Sequence, residues 1–506
     1  MVGPQNNKDL TIAVPIVMAA VFSFLYLDKP SLWLDESFSV AFASLGWAEF
    51  GSLVSSLETN MSLYYLLLKI WISIFGDSEF AVRSLSAMLA VLTVAIIYSF
   101  TLRLFNKRVA LVAGLLLASN AYFIRYAQAT RSYSLLLFLT AVSMFLFVLA
   151  LEKQKLRLYV WHGVVNALVF YTHFLGVLVL IGQIVLVLMV PKEAVNLRRI
   201  TISVTTTVLL ALPLVVLVLL LPPTKFQWWV GEAKPTFLNI VGIFTALSGN
   251  GGKVALALYF ACGVSSIVFA VRKLDVLIDR QMLLNYSLIL FWFVFPIASL
   301  LLFSFFVPAF RTRYLITALP ALVIIVALGL AYINHVSLQR IAISLVVAVS
   351  VVNLFGQYYL SPSVHRDWRA AAQTVLTNSQ PGDAIVFYSW MAQYPFDYYY
   401  RRVRRSDASV NGLNSVWPSP FYEASSGKNV DTFYDNLNSD RELSSERLEE
   451  LTKDRDRLWV VLAFDQMDVH GWNSKPIISS VDELYEEKTV FSMDQLTIIL
   501  YRVKRS

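Results

Sequence analysis

The chain has 506 residues, of which 57% are hydrophobic and only 15% are charged. Soluble globular proteins have about 45–50% apolar and about 25% charged residues, so this composition excludes a soluble protein. The single cysteine, Cys262, excludes a disulfide framework, and no zinc-like Cys/His spacing occurs. The net charge of +7 does not indicate nucleic-acid binding, because basic residues in a membrane protein first report orientation.

Apolar segments long enough to cross about 30 Å of hydrocarbon recur between Leu10 and Leu360. We predict eleven membrane spans, with approximate limits 10–27, 82–101, 109–124, 133–151, 158–172, 174–191, 200–221, 254–271, 282–307, 314–333 and 341–359. The first is not interpreted as a signal peptide, because no convincing small-residue cleavage site follows it and further spans do.

Five short links between these segments are basic: 103–108, 152–157, 192–199, 272–280 and 335–340. The positive-inside rule places all five on the cytoplasmic side, and their alternation supports the predicted count. The N-terminus is then cytoplasmic, and an odd number of spans leaves the C-terminus outside. This pattern predicts a multi-pass protein of the plasma (inner) membrane.

The first external loop, residues 28–81, is amphipathic and rich in aromatic residues. Its segment Leu63–Phe75 is apolar but, at about 13 residues, short for a membrane span. We expect an interfacial helix that lies along the membrane. The alternative, a further span, would reverse the orientation of everything downstream.

Charged residues become frequent after about residue 360, which divides the chain into a transmembrane domain, 1–360, and a small extracytoplasmic α/β domain, 361–506. In the second domain we predict helices at Asp367–Leu376 and Asp431–Lys453 and a loop at Ser406–Lys428. Strands are predicted at Ala384–Tyr388, Leu458–Phe464 and Leu496–Val503.

Two adjacent carboxylates, Asp35 and Glu36, follow the first apolar segment directly. Ionisable residues at a membrane boundary are costly and often functional. A carboxylate placed there could deprotonate a hydroxyl while the apolar part of the substrate stays in lipid. The alternatives are a helix N-cap, for which Asp is common, or an acid that is simply solvated.

Five arginines fall at the external ends of predicted spans, where the positive-inside rule does not favour them: Arg83, Arg125, Arg131, Arg311 and Arg313. Each could reach lipid headgroups by snorkelling. Together, on the face that contains Asp35, they favour a phosphate site, because the guanidinium group binds phosphate in a bidentate manner. A lipid-linked phosphate or pyrophosphate fits a cationic site near lipid.

Several segments in order along the chain resemble a known family. They are Trp33-Leu-Asp-Glu-Ser37, Ser62–Leu68 with Phe75–Arg83, Arg125–Tyr133, Tyr171–Phe174, Arg313–Pro320, and Asp367–Ala372 with Pro381-Gly-Asp383. In these segments the sequence resembles the type-C (GT-C) integral-membrane glycosyltransferases, in the family-39-like branch related to protein O-mannosyltransferases and aminoarabinose transferases.

This resemblance implies a polyprenyl-phosphate-linked sugar as donor, transfer on the extracytoplasmic face, and Asp35 as the catalytic base. Tyr64, Tyr133, His173 and Tyr314 lie in or beside the matching segments and are candidate substrate-binding residues. For His173, an interfacial structural role is the alternative.

The chain departs from the family pattern in two places. Relatives often have Glu at the position of Thr130, and Pro-Pro where this chain has Met61-Ser62. Because the missing acid is a possible metal ligand, we predict neither a metal nor another cofactor.

The residues and the resemblance together predict an inverting glycosyltransferase. Asp35 would act as general base, Glu36 would orient a substrate or share that role, and the arginines would stabilise the departing phosphate. A lipid-linked glycan flippase and a glycan polymerase or ligase are the alternatives. The sequence leaves open the sugar and the acceptor, which could be a lipid, a glycan or a protein hydroxyl.

Overall fold

The computed structural model describes residues 10–56, 59–189, 195–220, 235–274, 280–307, 310–360, 367–380, 382–388, 392–406, 414–417, 456–463, 475–493 and 496–503. Helices dominate the part up to residue 360, and a β-sheet appears only after it.

The helices of the first part lie where the sequence places apolar segments. They are α1 (Ala13–Phe24), α2 (Leu34–Ala43), α3 (Trp47–Ser56), α4 (Ser62–Phe75), α5 (Glu79–Leu104), α6 (Lys107–Ser119), α7 (Ala121–Ala127), α8 (Tyr133–Lys153), α9 (Leu156–Thr172), α10 (Val177–Met189), α11 (Leu197–Leu220), α12 (Phe237–Leu247), α13 (Gly252–Leu274), α14 (Arg280–Phe306), α15 (Leu319–Ala331) and α16 (Val336–Leu354).

Within the described residues, six helices are long and apolar enough to cross a membrane, or up to eight if each bent helix pair is one span. Each of the eleven predicted spans coincides with a helix or a bent pair, but some of these helices are short for a membrane crossing, such as α9 with 17 residues. A polytopic helical membrane protein is therefore confirmed, and the count of eleven stays a prediction.

One bent pair owes its break to an asparagine. Between α6 and α7 the chain turns by 63° at Asn120. The Asn120 side chain accepts a hydrogen bond from the backbone N–H of Phe123 (3.0 Å) and donates one to the carbonyl of Leu247 (2.9 Å). Asn favours helix N-caps because its side chain accepts from the free amides of the first turn. The residue therefore starts α7 and joins it to the end of α12.

The chain divides into two compact units. The first contains residues 1–27, 54–71 and 80–361, and the second contains 28–53, 72–79 and 362–506. The last segment of the second unit begins at residue 362, but the unit also includes two pieces of the first external loop, which were predicted to belong to the transmembrane part. The predicted domain limits stay a prediction.

Three further helices lie in the second unit, α17 (Trp368–Asn378), α18 (Gln393–Ser406) and α19 (Lys475–Leu484). Its strands are β1 (Ala384–Tyr388), β2 (Asn414–Trp417), β3 (Arg457–Ala463), β4 (Tyr485–Met493) and β5 (Leu496–Val503). They form one sheet in the order β2-β1-β3-β5-β4, in which β1 is parallel to β2 and β3, and the other pairs are antiparallel. Alternate residues such as Val386, Val460 and Ile499 form its buried core.

The predicted elements at Asp367–Leu376, Ala384–Tyr388, Leu458–Phe464 and Leu496–Val503 are confirmed within one or two residues. The loop predicted at Ser406–Lys428 is wrong at Asn414–Trp417, because that short segment adds an edge strand beside β1. The rest of that loop from residue 407 and the helix predicted at Asp431–Lys453 lie outside the described residues. Three elements, α18, α19 and β4, were not predicted from the sequence.

Candidate active site

The two adjacent carboxylates lie in the first turn of α2 and have different environments. Trp33 is the N-cap residue in an extended conformation. The Glu36 side chain turns back, and its Oε2 accepts a hydrogen bond from the Trp33 backbone N–H at 3.3 Å. This hydrogen bond is the one that a glutamate makes in a capping box. The Glu36 side chain is also buried, with 1% of its surface exposed. Asp35 is half-buried and, like Glu36, is favoured by the positive end of the helix dipole.

The helix itself is well supported inside the second unit. The Ser37 hydroxyl donates to the carbonyl of Leu34 at 2.9 Å, and the Ser39 hydroxyl donates to the carbonyl of Asp35 at 2.8 Å. The Phe38 ring packs edge-on against Tyr394 of α18, with ring centroids 5.4 Å apart. Asp35 therefore projects from a short helix with a defined start.

Five predicted site residues of the first unit lie together, and we call Arg131, Tyr133, His173, Arg313 and Tyr314 the cationic-aromatic cluster. The His173 ring lies 6.2 Å from the Tyr133 ring and 5.1 Å from the Tyr314 ring, centroid to centroid. The Arg313 guanidinium lies 5.7 Å from the Tyr314 ring centroid. Segments far apart in the chain thus bring two arginines and three rings to one place.

His173 is a neutral member of this cluster. The backbone N–H of Leu175 donates to its Nδ1 at 3.2 Å, which places the imidazole proton on Nε2. Burial, together with the positive charges of Arg313 and Arg131, lowers the pKa of His173 to about 3. Its Nε2–H therefore stays a hydrogen-bond donor at neutral pH, while the two arginines supply the positive charge.

Three residues at the edge of the cluster were not predicted from the sequence. The Tyr65 hydroxyl lies 3.5 Å from Nη1 of Arg131, and the Tyr126 ring lies 4.8 Å from the Tyr133 ring. The Ser132 hydroxyl is fully buried and has no hydrogen-bond partner among the described residues. A signal existed for all three, since Tyr65 lies within the matching segment Ser62–Leu68, and Tyr126 and Ser132 lie within Arg125–Tyr133.

The remaining predicted residues lie in other settings. Arg83 is buried and donates to the carbonyl of Leu27 at 2.9 Å, near the end of α1. Arg125 is exposed in the last turn of α7, and half-buried Arg311 precedes the 3₁₀ helix Thr312–Ala318. The Tyr64 hydroxyl lies 3.2 Å from the Ser86 hydroxyl of α5.

Comparison with known proteins finds similarity in sequence and in fold. Residues 62–220 match the model of the family described as dolichyl-phosphate-mannose-protein mannosyltransferase. A comparison with curated proteins finds no match in sequence.

Among solved structures, ArnT from Cupriavidus metallidurans bound to undecaprenyl phosphate is similar over 97% of both chains, with a TM-score of 0.64 and 12% identity. The archaeal oligosaccharyltransferase AglB from Archaeoglobus fulgidus, in complex with an inhibitory peptide and a dolichol-phosphate, is also similar. Its match covers 99% of this chain and 75% of that chain, with a TM-score of 0.55 and 12% identity.

These matches confirm the resemblance predicted from the sequence. At such low identity the structures establish the fold, and the family model adds a sequence match in the segment that contains α4 to α11. This chain is therefore a polytopic helical membrane protein with the fold of the type-C integral-membrane glycosyltransferases.

Proposed function

We propose that this chain transfers a sugar from a polyprenyl-phosphate-linked donor to an acceptor hydroxyl on the extracytoplasmic face of the membrane, with inversion at the anomeric carbon. The observation that carries the proposal is the cationic-aromatic cluster, in which the charges of Arg131 and Arg313 act on a neutral histidine that lies between two tyrosine rings. Guanidinium groups bind phosphate, and aromatic rings suit the face of a sugar.

The reaction needs few protein groups. The acceptor oxygen attacks the anomeric carbon while the bond from that carbon to the phosphate oxygen breaks, and the electron pair leaves with the polyprenyl phosphate. Because phosphate is a good leaving group, no general acid is required. A base for the hydroxyl proton and positive charge for the developing phosphate dianion are sufficient.

We assign the base to Asp35 and the positive charge to Arg131 and Arg313. Half-buried Asp35 keeps one face accessible to a substrate, whereas the Glu36 carboxylate is buried and binds the Trp33 backbone N–H. We therefore propose that Glu36 orients the helix that carries Asp35. Contacts of Arg83, Arg125 and Arg311 with the phosphate stay predictions.

A lipid-linked donor is also supported by the proteins of similar fold. The ArnT structure contains undecaprenyl phosphate and the AglB structure contains a dolichol-phosphate. The sugar and the acceptor of this chain are not specified by these similarities, because specificity depends on the shape of a pocket rather than on the fold. We leave open a lipid, glycan or protein hydroxyl as acceptor.

The test is mass spectrometry of cell-envelope glycans from a deletion strain complemented with the wild-type chain, with Asp35→Asn or with Arg313→Gln. If the proposal is right, one glycan of the deletion strain lacks the mass of a single sugar, which identifies that sugar. The wild-type chain restores it, whereas Asp35→Asn does not and Arg313→Gln restores at most about one part in 100. Arg103→Gln, which removes only a surface pair with Glu152, is the matched control and should restore it fully.

Full restoration by Asp35→Asn would exclude Asp35 as the base and would favour transport of the lipid-linked sugar. Loss of a whole polymer, instead of one sugar, would favour a polymerase or ligase.

A further inference from the structure

The segment that leads into α2 depends on other parts of the second unit for its conformation. Residues 28–33 form turns and extended chain, without a helix or strand of their own. Backbone groups of such a segment need hydrogen-bond partners when they are buried. In this chain α17 and α18 provide these partners.

Helix α17 contacts the segment through its first two residues. The backbone N–H of Trp368 donates to the Ser31 hydroxyl at 3.2 Å. The Arg369 guanidinium donates to the carbonyl of Asp28 at 3.0 Å and to the Glu79 carboxylate at 2.6 Å. The side chain of Trp368 is fully buried, so the start of α17 is itself rigidly placed.

Helix α18 makes the contact nearest to the proposed base. The backbone N–H of Leu32 donates to the Tyr399 hydroxyl at 2.7 Å, and both residues are buried. The Tyr399 ring packs edge-on against Tyr398 at 4.9 Å, and the Tyr398 hydroxyl donates to the carbonyl of Asp77 at 2.7 Å. The Arg369 guanidinium lies 5.8 Å from the Tyr399 ring centroid. These contacts hold the Tyr399 side chain in position independently of its hydrogen bond with Leu32.

We propose that Tyr399 is a positioning residue for Asp35, acting through the backbone of Leu32. This inference rests on the proposed function, because it assumes that Asp35 accepts the proton. Leu32 precedes Asp35 by three residues, and Asp35 lies in the first turn of α2, which begins at Leu34. A displacement of about 1 Å in a reacting group can reduce a rate about 100-fold, so a single fixed hydrogen bond next to the base matters.

The second unit would thus contribute to the reaction by holding the helix that carries Asp35 in position. Residues of α17 and α18, more than 300 positions after Asp35 in the chain, determine the direction in which the helix of the base starts.

The test compares Tyr399→Phe with Tyr501→Phe in the full-length chain. Each substitution removes one buried hydroxyl of the second unit, but Tyr501 lies on β5 and packs against Tyr485, at 5.9 Å between ring centroids. Initial rates of sugar transfer are measured in membranes at matched protein levels. A dilution series of a lipid extract from the deletion strain, which retains unused donor, serves as the donor.

We expect Tyr399→Phe to lower the maximal rate about tenfold or more, with the half-saturating amount of extract unchanged within about twofold. Amide hydrogen exchange of the peptide that contains Leu32 should accelerate, because its N–H loses its partner. Tyr501→Phe should change none of these quantities. In the Asp35→Asn background, Tyr399→Phe should lower the residual rate no further, since the base that it positions is absent.

A maximal rate of Tyr399→Phe within about twofold of wild type would overturn the inference. If Tyr399→Phe does not fold, Ser31→Ala replaces it, because it removes the hydroxyl that accepts the Trp368 N–H hydrogen bond in the same segment. An unchanged rate for Ser31→Ala then also overturns the inference. A fully active Asp35→Asn contradicts the proposed function, whereas an inactive Asp35→Asn beside a normal Tyr399→Phe contradicts the positioning role alone.

Discussion

Replacing Glu36 by glutamine or alanine separates two roles of this carboxylate, helix capping and proton transfer. Oε2 of Glu36 accepts the Trp33 N–H at 3.3 Å, and glutamine retains an oxygen that can accept the same bond. Glu36→Gln therefore keeps the capping bond and loses the favourable interaction of a negative charge with the helix dipole. That interaction is worth about 0.3–1 kcal/mol, or at most about fivefold in rate.

Glu36→Ala also loses the capping hydrogen bond, which typically costs about 0.5–2 kcal/mol. If Glu36 only orients α2, we expect Glu36→Gln to retain at least about one fifth of the wild-type rate and Glu36→Ala to retain less. If Glu36 is the proton acceptor, both substitutions should lower the rate by about 100-fold or more.

The assay is the initial rate of sugar transfer in membranes at matched protein levels, with Asp35→Asn measured in parallel. Thermal denaturation of the purified chain distinguishes the loss of the capping hydrogen bond from the loss of a catalytic group. Only Glu36→Ala should have a markedly lower melting temperature than the wild-type chain. A 100-fold loss in Glu36→Gln with an unchanged melting temperature would refute the capping role and would assign proton transfer to Glu36.

Three further predictions concern pH and metals. Burial raises the pKa of the Asp397 carboxyl to about 6, although the positive charge of Arg401 opposes this shift. Because the folded state then binds the proton more readily than the unfolded state, the melting temperature of the wild-type chain should rise by about 2–4 °C when the pH is lowered from 7 to 5. The Asp397→Asn variant should not show that part of the rise. Because burial and the charges of Arg313 and Arg131 lower the pKa of His173 to about 3, His173→Asn should lower the transfer rate about tenfold without changing the shape of its dependence on pH between 5 and 8. Since Thr130 occupies the position where relatives often have Glu, transfer should be unchanged by EDTA and not increased by added Mn²⁺ or Mg²⁺.

Each of these three has a result that contradicts it. A rise of equal size in Asp397→Asn would assign the pH dependence of stability to another group. A step near pH 6.5 that disappears in His173→Asn would show that His173 titrates in the working range. Loss of transfer in EDTA, restored by a divalent cation, would establish a metal requirement.

The sequence by itself determined the class of the protein and the location of most of its helices. Runs of apolar residues long enough for a membrane can be read from composition, because the bilayer requires continuous apolar length rather than a particular partner. Short strands with strong β-propensity, such as Ala384–Tyr388, were also predictable. The order of weak motifs pointed to the family fold and to Tyr133, His173 and Tyr314, and the positive-inside rule drew attention to Arg131 and Arg313. The structure places these five residues together in the cationic-aromatic cluster.

Only the tertiary structure decided what these residues contact. Glu36 was predicted to orient a substrate or to share the role of the base, which stays a prediction; the structure adds that its carboxylate accepts the Trp33 backbone N–H, because the backbone N–H groups of a helix start need acceptors. Tyr399 carried no sequence signal, because its role depends on a hydrogen bond to Leu32, 367 positions earlier. The helix of Tyr399 was missed for the same reason. Its apolar positions are mostly tyrosine and phenylalanine, which favour strands as readily as helices, and contacts with distant segments such as Asp77 contribute to its stability.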